Sequence, residues 1–215
     1  MSYDSVVAAI PRGSDELAGH WNTVYATHAT DEVSWYQTEP ATSLTLVAAL
    51  GISRDAAVVD VGGGASFFAD RLVERGFSDV TVLDIAEAAL EDHGRHPVAD
   101  GPVTRLRRDV LTWKPTRLYD LWHDRALFHF FGPDDRGRYL QTMLLALRPG
   151  GIVVLATFAP DGPDHCSGLP VVRYSADDLV GVLGDPFLIV RSQREEHTTP
   201  GGSTQPFTWY VGRRL

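Results

Sequence analysis

The sequence has no long hydrophobic run and only one cysteine. Its longest apolar runs, such as Ile152 to Ala156, are far shorter than the roughly 20 residues that a membrane-spanning helix needs. With Cys166 alone, no intrachain disulfide can form, which suits a reducing cytoplasm. The N-terminal stretch MSYDSVVAAIPRGSDE lacks the basic start and apolar core of a signal peptide. We therefore expect a cytoplasmic protein without a membrane partner.

Positive charge is also scarce, because 19 Lys and Arg stand against 28 Asp and Glu, which gives a net charge of −9. A general nucleic-acid binder would carry a basic face, so the balance predicts no nucleic-acid partner. The 215 residues and the hydrophobic fraction of 44% are those of an ordinary globular protein. We interpret residues 1–215 as one domain; the oligomeric state stays open.

What the sequence does contain is a regular alternation of strand and helix patterns after residue 56. An N-terminal helical segment, interrupted at Asp31 and Pro40, precedes this alternation. Such an order predicts an α/β fold with a parallel sheet and helices on both faces, ending in two antiparallel strands. The predicted strands cover 57–61, 80–83, 103–107, 119–123, 152–158, 187–192 and 207–212, and the predicted helices 66–75, 86–93, 135–147 and 176–183.

A run of three glycines, Gly62, Gly63 and Gly64, lies where the first strand ends and a helix begins. Without a Cβ, such a turn lets the backbone approach a ligand closely. Ligands of doubly wound sheets bind outside the carboxyl ends of the strands, where this turn lies. A glycine turn alone is weak evidence, since it can also serve only to reverse the chain.

Acidic residues at the ends of the next strands add weight to this binding site. Asp84 follows the second strand and can accept hydrogen bonds from ribose hydroxyls, although it can equally cap the helix that starts at Ala86. Asp109 follows the third strand and could accept an adenine amino group, with the Val110 N–H donating to a ring nitrogen. Asp60 could fix the loop or reach an amino group of the cofactor. The pattern predicts a nucleoside cofactor.

The identity of the cofactor follows from the details of the turn. A dinucleotide fingerprint requires a third glycine where Phe67 stands, so NAD fits poorly. The run from Asp60 to Ser66 instead resembles the D-x-G-x-G-x-[GS] signature of class I S-adenosylmethionine (SAM)-dependent methyltransferases. The strand-end acids, the Arg148-Pro149-Gly150-Gly151 turn and the final strand pair appear in the order of that superfamily, and the resemblance covers roughly residues 40–215.

This resemblance implies a seven-stranded, mostly parallel, doubly wound sheet in the order 3-2-1-4-5-7-6, with strand seven antiparallel. It also implies SAM as the cofactor and a Rossmann-like core over 51–215. Gly62, Gly63 and Gly64 would lie under the methionine moiety, and the end of strand four would lie beside its amine and carboxylate. The resemblance thereby implies the following further cofactor-binding residues: Asp60, Asp84, Ile85, Asp109, Val110, His123 and Asp124.

The N-terminal segment, residues 1–50, resembles the entrance segment of a smaller class I group that includes protein-lysine methyltransferases and bacterial relatives. Such segments usually cover the cofactor. Aromatic faces attract a sulfonium cation by cation–π interaction, and Tyr25 and Trp35 are the candidates. The alternative is that these aromatic residues only pack a helix against the sheet.

Candidates for catalysis follow the fourth strand. Asp124 and Arg125 fall at its carboxyl end, and His129 could act as a general base because the ordinary pKa of histidine is near neutrality. His129 could equally line the pocket or lie in the core. His129, Cys166 and His197 could converge on a metal, but their spacing fits no known metal signature, so we expect no metal.

The predicted reaction is methyl transfer from SAM to an N, O or S acceptor, which depends mostly on positioning. A small molecule is favoured as acceptor, because the loop over 159–174 could roof the pocket. A protein lysine is the first alternative, and a SAM-binding module without catalysis is the second. A nicotinamide oxidoreductase is a third alternative, which Phe67 argues against.

Overall fold

The computed structural model describes residues 13–91 and 103–215. The N-terminal twelve residues, and the end of the predicted helix over 86–93 with the glycine after it, lie outside the described residues. Within the described ranges, no helix is long and apolar enough to cross a membrane.

Seven strands form one sheet in the order β3-β2-β1-β4-β5-β9-β8. Two further strands, β6 and β7, form a separate short hairpin, so β8 and β9 are the sixth and seventh strands of the predicted sheet. β9 runs antiparallel between β5 and β8, while β1 to β5 are mutually parallel. The predicted fold class and strand order are confirmed. The strands are β1 (Val58–Val61), β2 (Val80–Asp84), β3 (Val103–Arg107), β4 (Tyr119–Arg125), β5 (Leu147–Phe158), β6 (His165–Cys166), β7 (Leu169–Pro170), β8 (Phe187–Thr198) and β9 (Thr204–Arg214).

Six α-helices accompany the sheet in the described ranges, and the first two replace the predicted N-terminal helical segment. The chain between them, which contains both predicted interruptions, is irregular. The α-helices are α1 (Ser14–Thr27), α2 (Ala41–Ala49), α3 (Phe68–Glu74), α4 (Glu87–Glu91), α5 (Pro133–Ala146) and α6 (Ala176–Leu183).

Both faces of the central strands are buried, as expected for parallel strands, whereas β8 at the edge is largely exposed. Successive residues of a strand point to opposite faces, so Leu121 and Trp122 enter two different hydrophobic clusters. One cluster joins the sheet to α5 and α6, for example through Tyr139. The other joins it to α2 and α3, for example through Phe68. The carboxyl ends of β1 to β4 therefore meet at one edge between these two layers.

The boundaries differ most from prediction in the second half of the chain. β5 begins at Leu147, inside the predicted end of the preceding helix, and includes the turn at Gly150, whose φ is +77°. The register between β4 and β5 shifts between Tyr119 and Leu121. The last two strands are also longer than predicted, because their polar outer segments continue the ladder up to the pair formed by Thr198 and Thr204.

Candidate active site

A cavity of about 410 Å³ opens at the carboxyl edge of the sheet. Ligand pockets usually measure about 300–1,000 Å³, so this volume is enough for a small molecule. Each of the first four strands contributes to its wall through its last residues or the loop that follows. The residues that line it are Leu17, Trp21, Tyr25, Trp35, Gly62, Leu83, Asp84, Ile85, Arg108, Asp109, Val110, Leu111, Arg125, Ala126, Leu127, Phe130, Phe131, Asp135, Cys166, Leu169 and Pro170.

The glycine turn forms the floor of this region. Gly62 has a φ of +67°, and a Cβ there would lie 2.9 Å from the Cβ of Leu127. Gly64 has a φ of +45°, and a Cβ there would lie 2.6 Å from the Tyr25 hydroxyl. Both positions combine a left-handed backbone with a close approach, so the turn needs glycine for conformation and for space. Gly63 lines a smaller adjoining pocket of about 50 Å³.

The position of Asp84 is compatible with both roles predicted from the sequence, the capping of the following helix and the binding of a ligand. Its Oδ1 accepts the backbone N–H of Ala86 at 2.9 Å, which is the capping contact. Its Oδ2 faces Gly64, 3.1 Å from the position of an added Cβ, and the residue lines the large cavity. Burial raises the pKa of this carboxyl to about 6, although neighbouring backbone N–H groups oppose the shift. A carboxylate that can accept hydrogen bonds from a ligand is thus held at the cavity wall.

Asp109 and Val110 lie at the end of the cavity next to Asp84. The carboxylate of Asp109 accepts the N–H of Leu111 at 2.8 Å and the hydroxyl of Ser14 at the start of α1. The backbone N–H of Val110 has no hydrogen-bond acceptor among the residues that the structure describes. The predicted adenine contacts therefore lie at the cavity with this N–H available. Ile85 also lines the wall, as predicted.

Helix α1 covers the cavity with one face. Leu17, Trp21 and Tyr25 are four residues apart, so they lie on the same side of the helix, and all three line the cavity. Trp35 completes this cover, with ring centroids 6.0 Å from Trp21 and 6.2 Å from Tyr25. Phe130 meets Trp21 from the opposite wall at 5.3 Å. Tyr25 and Trp35 thus both line the cavity, and their contact with the cofactor stays a prediction.

The Tyr25 hydroxyl is held in place and stays neutral. Burial raises its pKa well above the ordinary value, and the nearby Asp84 carboxylate raises it further. The hydroxyl lies against the glycine turn, 2.6 Å from the position of a Cβ added at Gly64. Tyr25 therefore joins the covering segment to the glycine turn.

Asp60 and His123 lie beneath the glycine turn and do not line the large cavity. His123 Nδ1 lies 2.6 Å from Asp60 Oδ1, and His123 Nε2 lies 2.9 Å from the Ser43 hydroxyl on α2. Asp60 and His123 are each only 2% exposed, and His123 stacks on Phe68 at a centroid distance of 3.9 Å. Both residues line the smaller adjoining pocket, and their direct contact with the cofactor stays a prediction. Both ring nitrogens are already engaged, so the chain of hydrogen bonds supports the turn from below.

Asp124 is also a core residue. It is fully buried and accepts hydrogen bonds from the Tyr139 hydroxyl at 2.5 Å and from the Leu127 N–H at 2.9 Å. Burial raises its pKa to about 6. The side chain points towards α5, on the opposite face from His123. The prediction that Asp124 binds cofactor or takes part in catalysis is therefore corrected: it closes the turn after β4.

His129 lies behind the cavity wall and does not line it. The residue is fully buried, and burial together with the nearby Arg125 cation lowers its pKa to about 3. Its Nδ1 lies 3.4 Å from the Phe158 N–H. A general base must reach the acceptor, so this position does not agree with the predicted catalytic role. Of the three residues predicted for catalysis, Arg125 alone lines the large cavity.

The possible metal cluster does not form. Across residues 13–91 and 103–215, no group of three or more His, Cys, Asp or Glu side chains could hold a metal ion. Cys166 lines the cavity, whereas the His197 ring bonds the Ser34 carbonyl at 2.8 Å. Cys166 belongs to the β6–β7 hairpin, and the roof predicted from the loop over 159–174 is built partly from that hairpin.

Sequence reasoning missed several residues of the cavity wall. Leu17 and Trp21 carried a usable signal, because their spacing to Tyr25 is helical. Ala126, Leu127 and Phe130 carried none, since a sharp turn brings them to the cavity. Ala126 has a φ of +72°, which is unusual for a residue with a side chain and costs roughly 1–3 kcal/mol.

Comparison with known proteins adds a sequence match and a fold match. Residues 58–151 match a family described as a methyltransferase domain. The chain is also 34% identical over 119 residues to thiocyanate methyltransferase 1 of Arabidopsis thaliana, which is 54% of this chain and 50% of that protein. The chain thus matches about half the length of this curated relative.

Solved structures share the fold over nearly the whole chain. A SAM-dependent methyltransferase from Anabaena variabilis superposes with a TM-score of 0.75 at 16% identity, covering 98% of this chain and 99% of the other. The 1,6-didemethyltoxoflavin-N1-methyltransferase of Burkholderia thailandensis superposes with a TM-score of 0.68 at 21% identity, covering 100% and 98%.

Proposed function

We propose that the chain is a member of the class I SAM-dependent methyltransferase superfamily and that it transfers the methyl group of SAM to a small-molecule acceptor. The observation that carries the proposal is the cavity of about 410 Å³ at the strand ends. One end presents the acidic residues that suit a nucleoside, and the other is enclosed by aromatic side chains and Arg125. Cofactor and acceptor would share this cavity.

The described residues fit this cofactor. At the nucleoside end, Asp84 would accept the ribose hydroxyls, and Asp109 with the N–H of Val110 would bind adenine. Gly62 lines the cavity and has no Cβ, so it would let the methionine portion approach the backbone. The unengaged N–H of Val110 and the buried Asp84 carboxylate are the groups that a nucleoside would satisfy.

Bound SAM supplies an electrophilic methyl group on a sulfonium sulfur. The protein's part is to place the acceptor in line with that methyl group and to exclude water. Tyr25, Trp35 and Trp21 present aromatic faces to the middle of the cavity, and such faces attract a cation. Leu169 and Pro170 of the β6–β7 hairpin close the acceptor end.

A small acceptor is favoured over a protein lysine by the enclosure of the cavity. α1 covers one side and the β6–β7 hairpin the other, so a protein side chain would have to displace one of them. The relative from Arabidopsis thaliana is named for a small acceptor, which points the same way. The acceptor atom, N, O or S, is left to the experiment.

The test combines binding with transfer. SAM, S-adenosylhomocysteine (SAH) and NAD are titrated separately into the purified protein by calorimetry. We expect SAM and SAH to bind with micromolar affinity and NAD not to bind. Methyl transfer from isotope-labelled SAM is then followed with small thiols, amines, phenols and inorganic anions, and in parallel with lysine-containing proteins.

Three outcomes would contradict the proposal. Binding of NAD instead of SAM would favour an oxidoreductase. Transfer to lysine alone would favour a protein methyltransferase. Tight SAM binding without transfer to any acceptor would favour a non-catalytic binding module.

A further inference from the structure

Arg125 is a partly buried cation at the wall of the cavity, and its charge is not neutralised. It ends β4 and lines both the large cavity and the small pocket under the glycine turn. Its Nε and Nη2 atoms are buried and have no hydrogen-bond partner among the described residues. Unpaired buried cations are costly, so a chain that carries one in a cleft has a candidate functional group.

The contacts that Arg125 does make leave its charge available. Nη1 donates to the Trp35 carbonyl at 3.1 Å, and the guanidinium lies 4.6 Å from the centroid of the Phe207 ring. Burial lowers its pKa to about 10, which still leaves it protonated at neutral pH.

No carboxylate within residues 13–91 and 103–215 forms an ion pair with Arg125. Glu195 is near enough to act electrostatically on Arg125, but its own oxygens accept from Thr42 at 2.9 Å and from the Trp209 indole at 2.7 Å. The negative partner that Arg125 lacks would therefore have to come from a ligand.

The acceptor end of the cavity suits a polarisable anion with little water around it. Besides Arg125, the wall of the cavity includes Trp35, Phe130, Cys166 and Leu169, and the Trp35 carbonyl accepts a hydrogen bond from the guanidinium. In such surroundings, the attraction between a guanidinium and an anion is stronger than in water. A guanidinium is also weakly hydrated, so it exchanges water for a weakly hydrated anion at low cost.

We propose that Arg125 binds the methyl acceptor, and that this acceptor is a small anion whose negative charge lies on or next to the nucleophilic atom. The inference rests on the proposed function and names its class of substrate. The anion's lone pair forms the bond to the methyl carbon, while the bond from that carbon to the cofactor sulfur breaks and its electron pair stays on sulfur. A cation and an anion become two neutral products, and no proton is released.

This charge balance agrees with the lack of a base at the acceptor end. No histidine is among the described residues that line the large cavity. Burial raises the pKa of the Cys166 thiol to about 11, so it does not accept a proton as a thiolate at neutral pH. An acceptor that is already an anion needs no base.

The test measures binding of three anions, thiocyanate, iodide and benzoate, to the complex of the full chain with SAH. Calorimetry at constant ionic strength gives their affinities, and methyl thiocyanate serves as the neutral counterpart of thiocyanate. The variants are Arg125→Gln and Arg125→Lys. Arg136→Gln is the matched control. Arg136 Nε also donates to a backbone carbonyl, that of Phe131, at 3.1 Å, and its guanidinium lies 5.3 Å from the centroid of the Tyr174 ring. Arg136 lines neither pocket.

We expect at least one anion to bind the wild-type complex more tightly than methyl thiocyanate does. Arg125→Gln should weaken the binding of that anion about tenfold or more and lower the rate of its methylation by the same factor. The affinity for SAH should stay within about twofold of the wild-type value. Arg125→Lys should keep part of the affinity, since it keeps the charge. Arg136→Gln should bind like the wild type. Thermal unfolding of each variant shows that it is folded.

Other outcomes would overturn the inference in recognisable ways. If none of the three anions binds the wild-type SAH complex, or if Arg125→Gln binds them equally well, Arg125 is not an acceptor site. If Arg125→Gln loses SAH but keeps 5′-methylthioadenosine, which lacks the carboxylate, Arg125 binds the cofactor's methionine portion instead. If the wild type does not bind SAH at all, the proposed function itself fails. If Arg125→Gln does not fold, the Arg125→Lys variant and the comparison of thiocyanate with methyl thiocyanate decide.

Discussion

His123 Nδ1 lies 2.6 Å from Asp60 Oδ1, directly under the glycine turn, and the Ser43 hydroxyl lies 2.9 Å from the other ring nitrogen. These three buried residues connect α2, β1 and β4. With Nδ1–H donated to Asp60, Nε2 accepts the serine hydroxyl. The arrangement resembles a hydrolytic triad, but Ser43 is only 1% exposed and cannot meet a substrate. The chain of hydrogen bonds is therefore structural.

Replacing His123 should cost far more stability than replacing Ser43. His123→Phe keeps a flat ring on Phe68 but leaves the Asp60 carboxylate buried without its partner, so we expect a loss of about 3 kcal/mol or more in the free energy of unfolding. Ser43→Ala removes one hydrogen bond and should cost about 1 kcal/mol. Urea unfolding monitored by tryptophan fluorescence measures both. Equal small losses would show that the carboxylate does not depend on His123.

The affinity for SAH should depend on pH through Asp84. Burial raises its pKa to about 6, and the proposed ribose hydroxyl would donate to the ionised carboxylate. Binding therefore competes with protonation, and affinity should fall as the pH drops through about 6 and be level above about 7.

Asp84→Ala serves to assign this pH dependence. Removing the carboxylate should weaken the binding of SAH by roughly 1–3 kcal/mol at pH 7.5. It should also abolish the decline in SAH affinity between about pH 7 and 5. Calorimetry across that range is the measurement. An unchanged pH profile in the variant would mean that another group controls binding, and an unchanged affinity would refute the ribose contact.

Gly64→Ala should be more damaging than a comparable substitution elsewhere. A Cβ at Gly64 would lie 2.6 Å from the Tyr25 hydroxyl, and the φ of +45° adds backbone strain. Gly202→Ala is the matched control, because Gly202 has a φ of +82° but open space around it. Gly202→Ala should lower the free energy of unfolding only through backbone strain, by about 1–2 kcal/mol, and should keep the affinity for SAH.

The double variant Gly64→Ala/Tyr25→Ala separates clash from strain. If the contact with Tyr25 is the main defect, the double variant should recover stability relative to Gly64→Ala, although the strain remains. Thermal unfolding gives the comparison. A double variant less stable than either single variant would argue against the close contact.

Trp35→Leu should reduce the preference for SAM over SAH. SAM carries a sulfonium cation and SAH does not, and cation–π attraction is worth about 0.5–2 kcal/mol. The variant should therefore weaken the binding of SAM by that amount more than the binding of SAH, and calorimetry measures both affinities. Phe67→Leu provides an aromatic control outside the large cavity. A parallel loss of both ligands would assign Trp35 a packing role only.

The sequence patterns by themselves determined the fold class and the positions of the ligand-binding strand ends, whereas the order of the strands in the sheet came from the family resemblance. Strand and helix patterns are local, and Asp84, Asp109 and the glycine turn follow their strands directly. In a parallel sheet all such ends meet at one edge, so the chain order sufficed to bring these residues to one cavity.

Only the tertiary structure decided which side chains face that cavity. His123, Asp124 and Arg125 are consecutive at the end of β4, yet one lies under the glycine turn, one packs towards α5 and one reaches the cavity. Neighbouring residues of a strand point to opposite faces, and the positive φ of Ala126 turns the chain immediately afterwards. Which face is open depends on the helices that cover it, and that packing comes from residues far away in the sequence.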